Sequence, residues 1–223
     1  MYPTNAIRDH GAVALLVEAF ARVFAMPSPR PFGGAIGRHQ GVSDDAQGVQ
    51  WNAGVDRERS VATIGVNLEG KEYDNWPIAR FIERELQHVG LPSMVRTLAD
   101  ADRAELWWSR DAWQFTARPP IREENIGPDP PVPLDRLTAD LWRTMLNEAY
   151  DCLDPARKHR GRAKQWVTFE NGSRKINGVS PHLQIKRIIW RQAPTSVDAA
   201  VKALTNGRDA LNAVYNFVRD RTA

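Results

Sequence analysis

Apolar positions recur along the chain with two periods. Over residues 7–24, Val13, Leu16, Val17, Phe20 and Phe24 fall on one stripe at helical spacing, which predicts a helix. Residues 61–68 alternate instead. Ala62, Ile64, Val66 and Leu68 interleave with Thr63, Gly65 and Asn67, the period of two that a pleated strand imposes. A short apolar run at 49–55 predicts a strand before it. Pro77 then opens a helix that Asp74 or Asn75 can cap, with Ile78, Phe81, Ile82, Leu86 and Val89 as its buried face and Gly90 as its stop. Residues 105–108 and 113–117 read as a hairpin turning at Ser109-Arg110-Asp111. A further helix covers 134–150, with Leu134, Leu137, Leu141, Met145 and Ala149 facing inward. Asn171-Gly172, centred in 166–176, is the strongest two-residue hairpin signal in the chain. A strand at 183–190 follows. The C-terminal helix places Leu211, Val214, Tyr215 and Val218 on one face and is expected to break at Asn206-Gly207.

Proline and glycine punctuate this pattern. Pro27, Pro29, Pro31 and the glycines after them make 26–37 a loop, and Gly33-Gly34-x-x-Gly37 is read as a turn. Six prolines in 119–133 read as a stiff linker. The expected organisation is an α/β unit over 1–118, the linker at 119–133, and a second unit over 134–223 that carries a helix, a hairpin and terminal helices. The fold class is α+β, a central mixed sheet flanked by helices.

Composition narrows the class. With 42% hydrophobic and 26% charged residues in 223, the chain is globular in character. No apolar run approaches the roughly 18 residues of a membrane span, and no basic segment followed by an apolar core opens the chain. The expectation is a cytoplasmic protein without membrane contact. Cys152 is the single cysteine, which excludes an internal disulfide. The net charge of +3 is unevenly placed. Residues 156–191 hold ten Lys/Arg and one acid, Glu170, a formal +9 that leaves −6 for the remainder. Such a basic stretch on an acidic body points to a polyanionic partner, above all nucleic acid.

Several chemistries are missing. The five histidines (10, 39, 88, 159 and 182) show no i, i+4 pair of a helical zinc site. There is no G-x-S-x-G elbow and no G-x-x-x-x-G-K-[ST] phosphate loop, which argues against esterases, NTPases and any nucleotide cofactor. What remains is Glu69-Gly70-Lys71 at the end of the best-patterned strand, with Asp56 at the end of the strand before it and Asp44 and Asp45 as competing carboxylates. Gly65, Asn67, Glu69 and Lys71 share the polar side of that strand's alternation. Two carboxylates bind Mg²⁺ through oxygen, the ion polarises a phosphate and activates water, and a nearby lysine offsets the charge that develops on phosphorus.

Asp56 followed by Glu69-Gly70-Lys71 resembles the motif of the PD-(D/E)xK nuclease superfamily, which includes many restriction endonucleases. The element order helix, strands, helix, strand over the first half of the chain is similar to its core. No proline precedes Asp56, and Gly70 stands where the family commonly has an apolar residue. The resemblance implies a restriction-endonuclease-like core and a homodimer that hydrolyses phosphodiester bonds in double-stranded DNA with Mg²⁺. Asp56 and Glu69 would be metal ligands and Lys71 the third catalytic residue. Glu18 matches in position an acid that some members use as a further ligand, and it reads equally as an exposed helix glutamate.

The basic stretch supplies the expected grip. Arg157, Lys158, Arg160, Arg162 and Lys164 precede the hairpin, and Arg174 and Lys175 lie near its tip. All seven are candidate nucleic-acid contacts, through phosphates or, for a ribbon in a groove, through base edges. Gln184-Ile185-Lys186 is a rival Q-x-K triplet, and Lys186 and Arg187 are read as phosphate contacts. Among eight tryptophans, Trp107 and Trp108 must point to opposite faces of one strand, so at most one is core. A nucleic-acid-binding protein without catalysis is the competing reading of the same features.

Overall fold

A computed structural model of the chain describes residues 10–32, 39–44, 48–68, 77–114, 117–125, 127–128, 131–151, 153, 164–170 and 173–223. In chain order these form α1 (His10–Val23), β1 (Arg30–Phe32), β2 (His39–Ser43), β3 (Val49–Asp56), β4 (Val61–Leu68), α2 (Pro77–Gln87), α3 (Leu91–Val95), β5 (Ala104–Gln114), β6 (Ala117–Asn125), β7 (Val132–Pro133), α4 (Ala139–Asp151), β8 (Lys164–Glu170), β9 (Ser173–Trp190) and α5 (Val197–Thr222). The fold is α+β. Every strand pairing among the described residues is antiparallel, where a mixed sheet is the sequence expectation.

The sheet runs β1-β2-β3-β4-β9-β5-β6, with β7 added to β5 and β8 to β9. β9 is its axis. One edge of β9 pairs with β5 from Asn177 to Arg187. The other edge is shared end to end: β8 takes Ser173 to Val179 and β4 takes Leu183 to Trp190. The expected division into units at 119–133 is therefore corrected. Residues of the second part supply the central strand of the sheet that the first part builds. The expected proline linker is also corrected, because β6 lies within it. β6 pairs only with β5, and Pro120 lies opposite Trp113 where the register shifts. An edge strand with bulges tolerates a residue that has no N–H to donate. Similarly, Ser109-Arg110-Asp111 is not a turn, since those residues pair with His182, Pro181 and Ser180 in the middle of β5. Residues 30–32, expected in a loop, add a short edge strand instead.

The helices lie on one face of the sheet. Alternation puts Val49, Trp51, Ala53 and Val55 of β3, Ala62, Ile64, Val66 and Leu68 of β4, Leu183 and Ile185 of β9, and Leu106 and Trp108 of β5 on that side, all buried. Phe20 and Phe24 bring α1 onto Trp51, and Tyr215 of α5 stacks on the same indole with ring centroids 4.9 Å apart. Phe81 of α2 and Trp142 of α4 close over Trp108, at 6.4 and 4.8 Å between centroids. Such pairs contribute about 0.5–1.5 kcal/mol each beyond burial.

Two features of this layer run against the sequence reading. Gly207 does not break the last helix, and α5 continues through it to Thr222. A Cβ there would stand 2.5 Å from Ile64 Cγ2 and 2.8 Å from Ile189 Cγ2, so glycine is what lets α5 lie close on β4 and β9. Glu85 falls on the apolar stripe of α2 and is fully buried. Its carboxylate accepts from the backbone N–H of Gly90 (3.2 Å) and of Leu91 (3.0 Å) and from Trp142 Nε1 (2.7 Å). Arg221 Nη1 stands 3.1 Å away to balance the charge. One carboxylate thus ties α2 to the start of α3, to α4 and to α5. A charge held away from water is tolerable only with such a complete set of partners.

Replacing Glu85 by alanine removes the acceptor of three N–H donors and the counter-charge of Arg221, whose Nη1 keeps its bond to the His88 carbonyl at 3.0 Å. The expected loss is about 3–5 kcal/mol of unfolding free energy, read as a fall in the urea midpoint at unchanged m-value. Gly207→Ala gives a sign test. Helix propensity alone would stabilise by about 1 kcal/mol, whereas the close approach to Ile64 and Ile189 predicts a net loss of about 1–3 kcal/mol in the same measurement.

Candidate nucleic-acid interface

The second face of the sheet carries no helix among the described residues, and polar side chains line it across the middle strands, with Val61 buried on the same side next to the β3–β4 turn. The registers set them in cross-strand rows. Gln50 of β3 lies opposite Asn67 of β4, Asn67 opposite Gln184 of β9, and Gln184 opposite Trp107 of β5. The next row toward the end of β4 holds His182 and Ser109. The row on the other side holds Asn52, Gly65, Lys186 and Glu105. Gln50 and Asn67 are each 2% exposed and Ser109 is 7%, while His182, Gln184, Lys186 and Trp107 are half-buried. Asn67 Nδ2 donates to Gln50 Oε1 at 3.2 Å, His182 Nε2 meets Asn67 Oδ1 at 2.5 Å, and Gln184 Nε2 lies 3.3 Å from the same imidazole nitrogen. Asn67 Oδ1 accepts only, so that bond requires the His182 proton on Nε2, and the Gln184 amide nitrogen, itself a donor, is then a close neighbour of the imidazole and not its hydrogen-bond partner. Lys186 Nζ sits 4.8 Å above the centre of the Trp107 ring. Gly65 keeps the row open, because a Cβ there would stand 2.9 Å from the Ile185 carbonyl oxygen and 3.1 Å from Lys186 Cγ.

Asp56 is at the other end of the hairpin. It pairs with Val61, whereas Leu68 pairs with Val49. Seven residues of strand separate the two ends, about 23 Å at 3.3 Å per residue. Asp56 and Leu68 thus stand at opposite ends of the hairpin, and Glu69, the proposed partner of Asp56, lies outside the described residues. The Asp56 side chain serves the turn: Oδ1 accepts from the backbone N–H of Glu58 at 3.0 Å and of Arg59 at 3.1 Å. Arg59 in turn reaches Glu105 on β5 with both guanidinium nitrogens, Nη2 to Oε2 at 2.9 Å. This pair holds the Arg59 guanidinium above its usual pKa, through the Glu105 hydrogen bond before any other influence.

Glu69 and Lys71 lie outside the described residues, as do Asp45, Arg157, Lys158, Arg160 and Arg162. Among the described residues no group of three His, Cys, Asp or Glu is placed to hold a metal ion. Asp44 is at the correct end of β3: its backbone N–H donates to the Trp51 carbonyl and Oδ2 accepts from Trp51 N–H at 3.0 Å. Its charge acts on the helix side, however, where it adds to burial in raising the pKa of the Tyr215 phenol. Glu18 is half-exposed on α1 and pairs with Arg22 at 2.7 Å, an ordinary i, i+4 ion pair.

No protein-family model, curated protein or solved structure matches the chain. No helix among the described residues is long and apolar enough to cross a membrane.

Of the basic candidates, Lys186 is on the polar face. Arg187, the next residue, is on the helix side, donating Nη2 to Asp100 Oδ2 at 2.8 Å and Nη1 to the Asp100 carbonyl at 3.3 Å. That pair pulls the Asp100 carboxyl below its usual pKa, and it corrects the reading of Arg187 as a phosphate contact. Lys164 opens β8, and Arg174 and Lys175 fall on β9 opposite Phe169 and Thr168. β5 stops opposite Asn177, so the last four residues of β9 before the turn pair with β8 alone. The expected two-stranded ribbon is thus limited to that tip, and behind it the hairpin merges with β5 and β6. His182 and the amide row are missed by sequence reading. Their signal is a set of polar residues at alternate positions of strands whose other side is apolar, legible only once the registers are known.

Burial comes first and the Asp44 carboxylate second in raising the Tyr215 phenol. The folded state therefore holds the phenol proton more tightly than the unfolded chain does. The stabilisation this brings is present below about pH 10, the unfolded phenol value, and is lost as pH rises through the higher folded value. Tyr215→Phe should then show a smaller fall in thermal midpoint between pH 9 and 11 than the unaltered protein.

Proposed function

We propose that the protein binds nucleic acid, with the basic hairpin β8–β9 gripping phosphates beside the polar rows of the sheet. The observation that carries this reading is the continuity of β9. The strand that bears Arg174 and Lys175 is the same one that carries His182, Gln184 and Lys186 across the middle of the sheet. Eighteen residues of extended strand span about 59 Å. Of the ten Lys/Arg in residues 156–191, Lys164, Arg174, Lys175, Lys186 and Arg187 fall on β8 and β9, so part of that segment's charge is carried by paired strands and not by a tether. Phosphate contacts set affinity and make it fall with salt.

Mg²⁺-dependent phosphodiester cleavage, of DNA in the first instance, is the second reading. It is supported by where β4 ends. Leu68 lies opposite Leu183, next to His182 and Asn67, and Lys164 lies opposite Val179 four residues further along β9. β4 therefore ends beside a buried polar cluster and on the side of the basic hairpin, and Glu69-Gly70-Lys71 are the residues that follow it in sequence. In this reading Mg²⁺ would supply charge neutralisation and an activated water. The second carboxylate would come from a residue other than Asp56.

One experiment serves both readings. Labelled DNA is titrated with the full chain at several salt concentrations, and plasmid is incubated with Mg²⁺ or EDTA. Binding should weaken with salt. The double variant Arg174→Ala/Lys175→Ala should lower the slope of log K against log salt by about 0.9 per phosphate contact removed. Binding that ignores salt, or a slope unchanged in the variant, overturns the first reading. Plasmid that stays intact with Mg²⁺ while still bound overturns the second, and nicking abolished by Lys71→Ala supports it.

A further inference from the structure

The polar face carries a second feature that electrostatic grip does not use. Trp107, Gln184, Asn67 and Gln50 form a single row across four adjacent strands, with an aromatic ring at one end and three amides beside it. The neighbouring row places Lys186 over the indole, its Nζ 4.8 Å from the ring centre. His182, fixed by Asn67, flanks the row on the other side.

We infer that this row is a nucleobase site, and that the ligand of the sheet face is an unpaired strand of nucleic acid. The inference rests on the nucleic-acid reading above and sharpens its substrate class. The argument is chemical. An indole offers a flat π face to any base, and stacking on it requires a base that has left its duplex. An amide presents both a donor and an acceptor, the pair that a base edge can satisfy, and Gln184 is the amide adjacent to the ring. A lysine beside the ring meets the phosphate of a stacked nucleotide, and as a base slides onto the indole the ammonium moves from π face to phosphate. Asn67 and Gln50 are too buried to touch a ligand directly. They are positioning residues: Gln50 holds Asn67 through the bond at 3.2 Å, and Asn67 holds His182 through the one at 2.5 Å. Trp107 and Gln184 are the part of the row that is not fully buried, one strand spacing of about 4.8 Å apart, which is room for one base. A duplex keeps its bases stacked on one another, so none of them offers a face to the indole without leaving the stack.

The test is fluorescence anisotropy with the full chain and one labelled sequence, offered single-stranded and as its duplex. The single strand is expected to bind more tightly. Trp107→Leu, which keeps apolar bulk, should weaken single-strand binding about tenfold, the size of one stacking contact, and leave duplex binding unchanged. Trp107→Phe, which keeps a ring, should retain most of it. Should the leucine variant fail to fold by circular dichroism, Gln184→Leu carries the test, with an expected loss of about fivefold on the single strand alone. Equal binding of the single strand by the unaltered protein and by both the leucine variants overturns the base site. Binding of duplex without single strand also overturns it and leaves the nucleic-acid reading intact. Binding of neither overturns both.

Discussion

Everything in this molecule is organised by the demand that β9 be paired on both edges at once. A strand of eighteen residues exposes a row of N–H and C=O groups on each side, and any of them buried without a partner is costly. β5 satisfies one edge. No single strand satisfies the other, so β8 and β4 divide it, with residues 180–182 between their last partners. From that division follow the position of the basic hairpin, collinear with β4, and the place where β4 leaves the sheet. The closing of the sheet also depends on the C-terminal third of the chain, because β4 and β5 do not meet without β9. Pairings of such long sequence separation form late and slowly.

The helix layer is the second consequence. Once β9 fixes the order of strands, the apolar side of the sheet is a continuous surface from Trp51 to Trp108 that only helices from distant parts of the chain can cover. α5 crosses it by lying on Gly207, and α2 and α4 meet over Trp108. Those helices then share the buried carboxylate of Glu85, which replaces loops as the fastening between them. An apolar residue at position 85 would pack the stripe more simply. The carboxylate instead makes the angle between α2, α3 and α5 specific, since only one arrangement supplies its donors.

What could be read from the sequence follows from the range of the interaction concerned. β4 is legible to the residue, because its period of two is local, and so is the hairpin that closes with Glu170 opposite Ser173. Local signals misled where tertiary partners overrode them. Gly207 reads as a helix stop until Ile64 and Ile189 are seen beneath it. Pro120 reads as a strand breaker until β6 proves to be an edge. Ser109 reads as a turn because nothing nearby in sequence announces His182 as its partner. The site suffered most from this. The reading of Asp56 with Glu69-Gly70-Lys71 rests on resemblance to a motif, while an antiparallel hairpin sends its strand ends apart in proportion to its length. The amide row is spread over residues 50, 67, 107 and 184, and no motif of fixed spacing could join them.

The polar face is hard to explain as a device of folding. The apolar row on the opposite side of the same strands, Val49, Leu68, Leu183 and Trp108, shows what these positions hold when stability alone decides. Burying Gln50 and Asn67 instead costs the desolvation of two amides, and their mutual bond returns about 0.5–1.5 kcal/mol net. A matched pair of apolar residues would avoid the cost. What the amides do that apolar residues cannot is fix the orientation of an imidazole, and His182 is the group so fixed. An oriented histidine beside a half-buried tryptophan and lysine is a costly arrangement for a surface with nothing to recognise. That cost argues for a ligand on this face more directly than the charge of the chain does, because charge can be solvated where it stands and a buried polar row cannot.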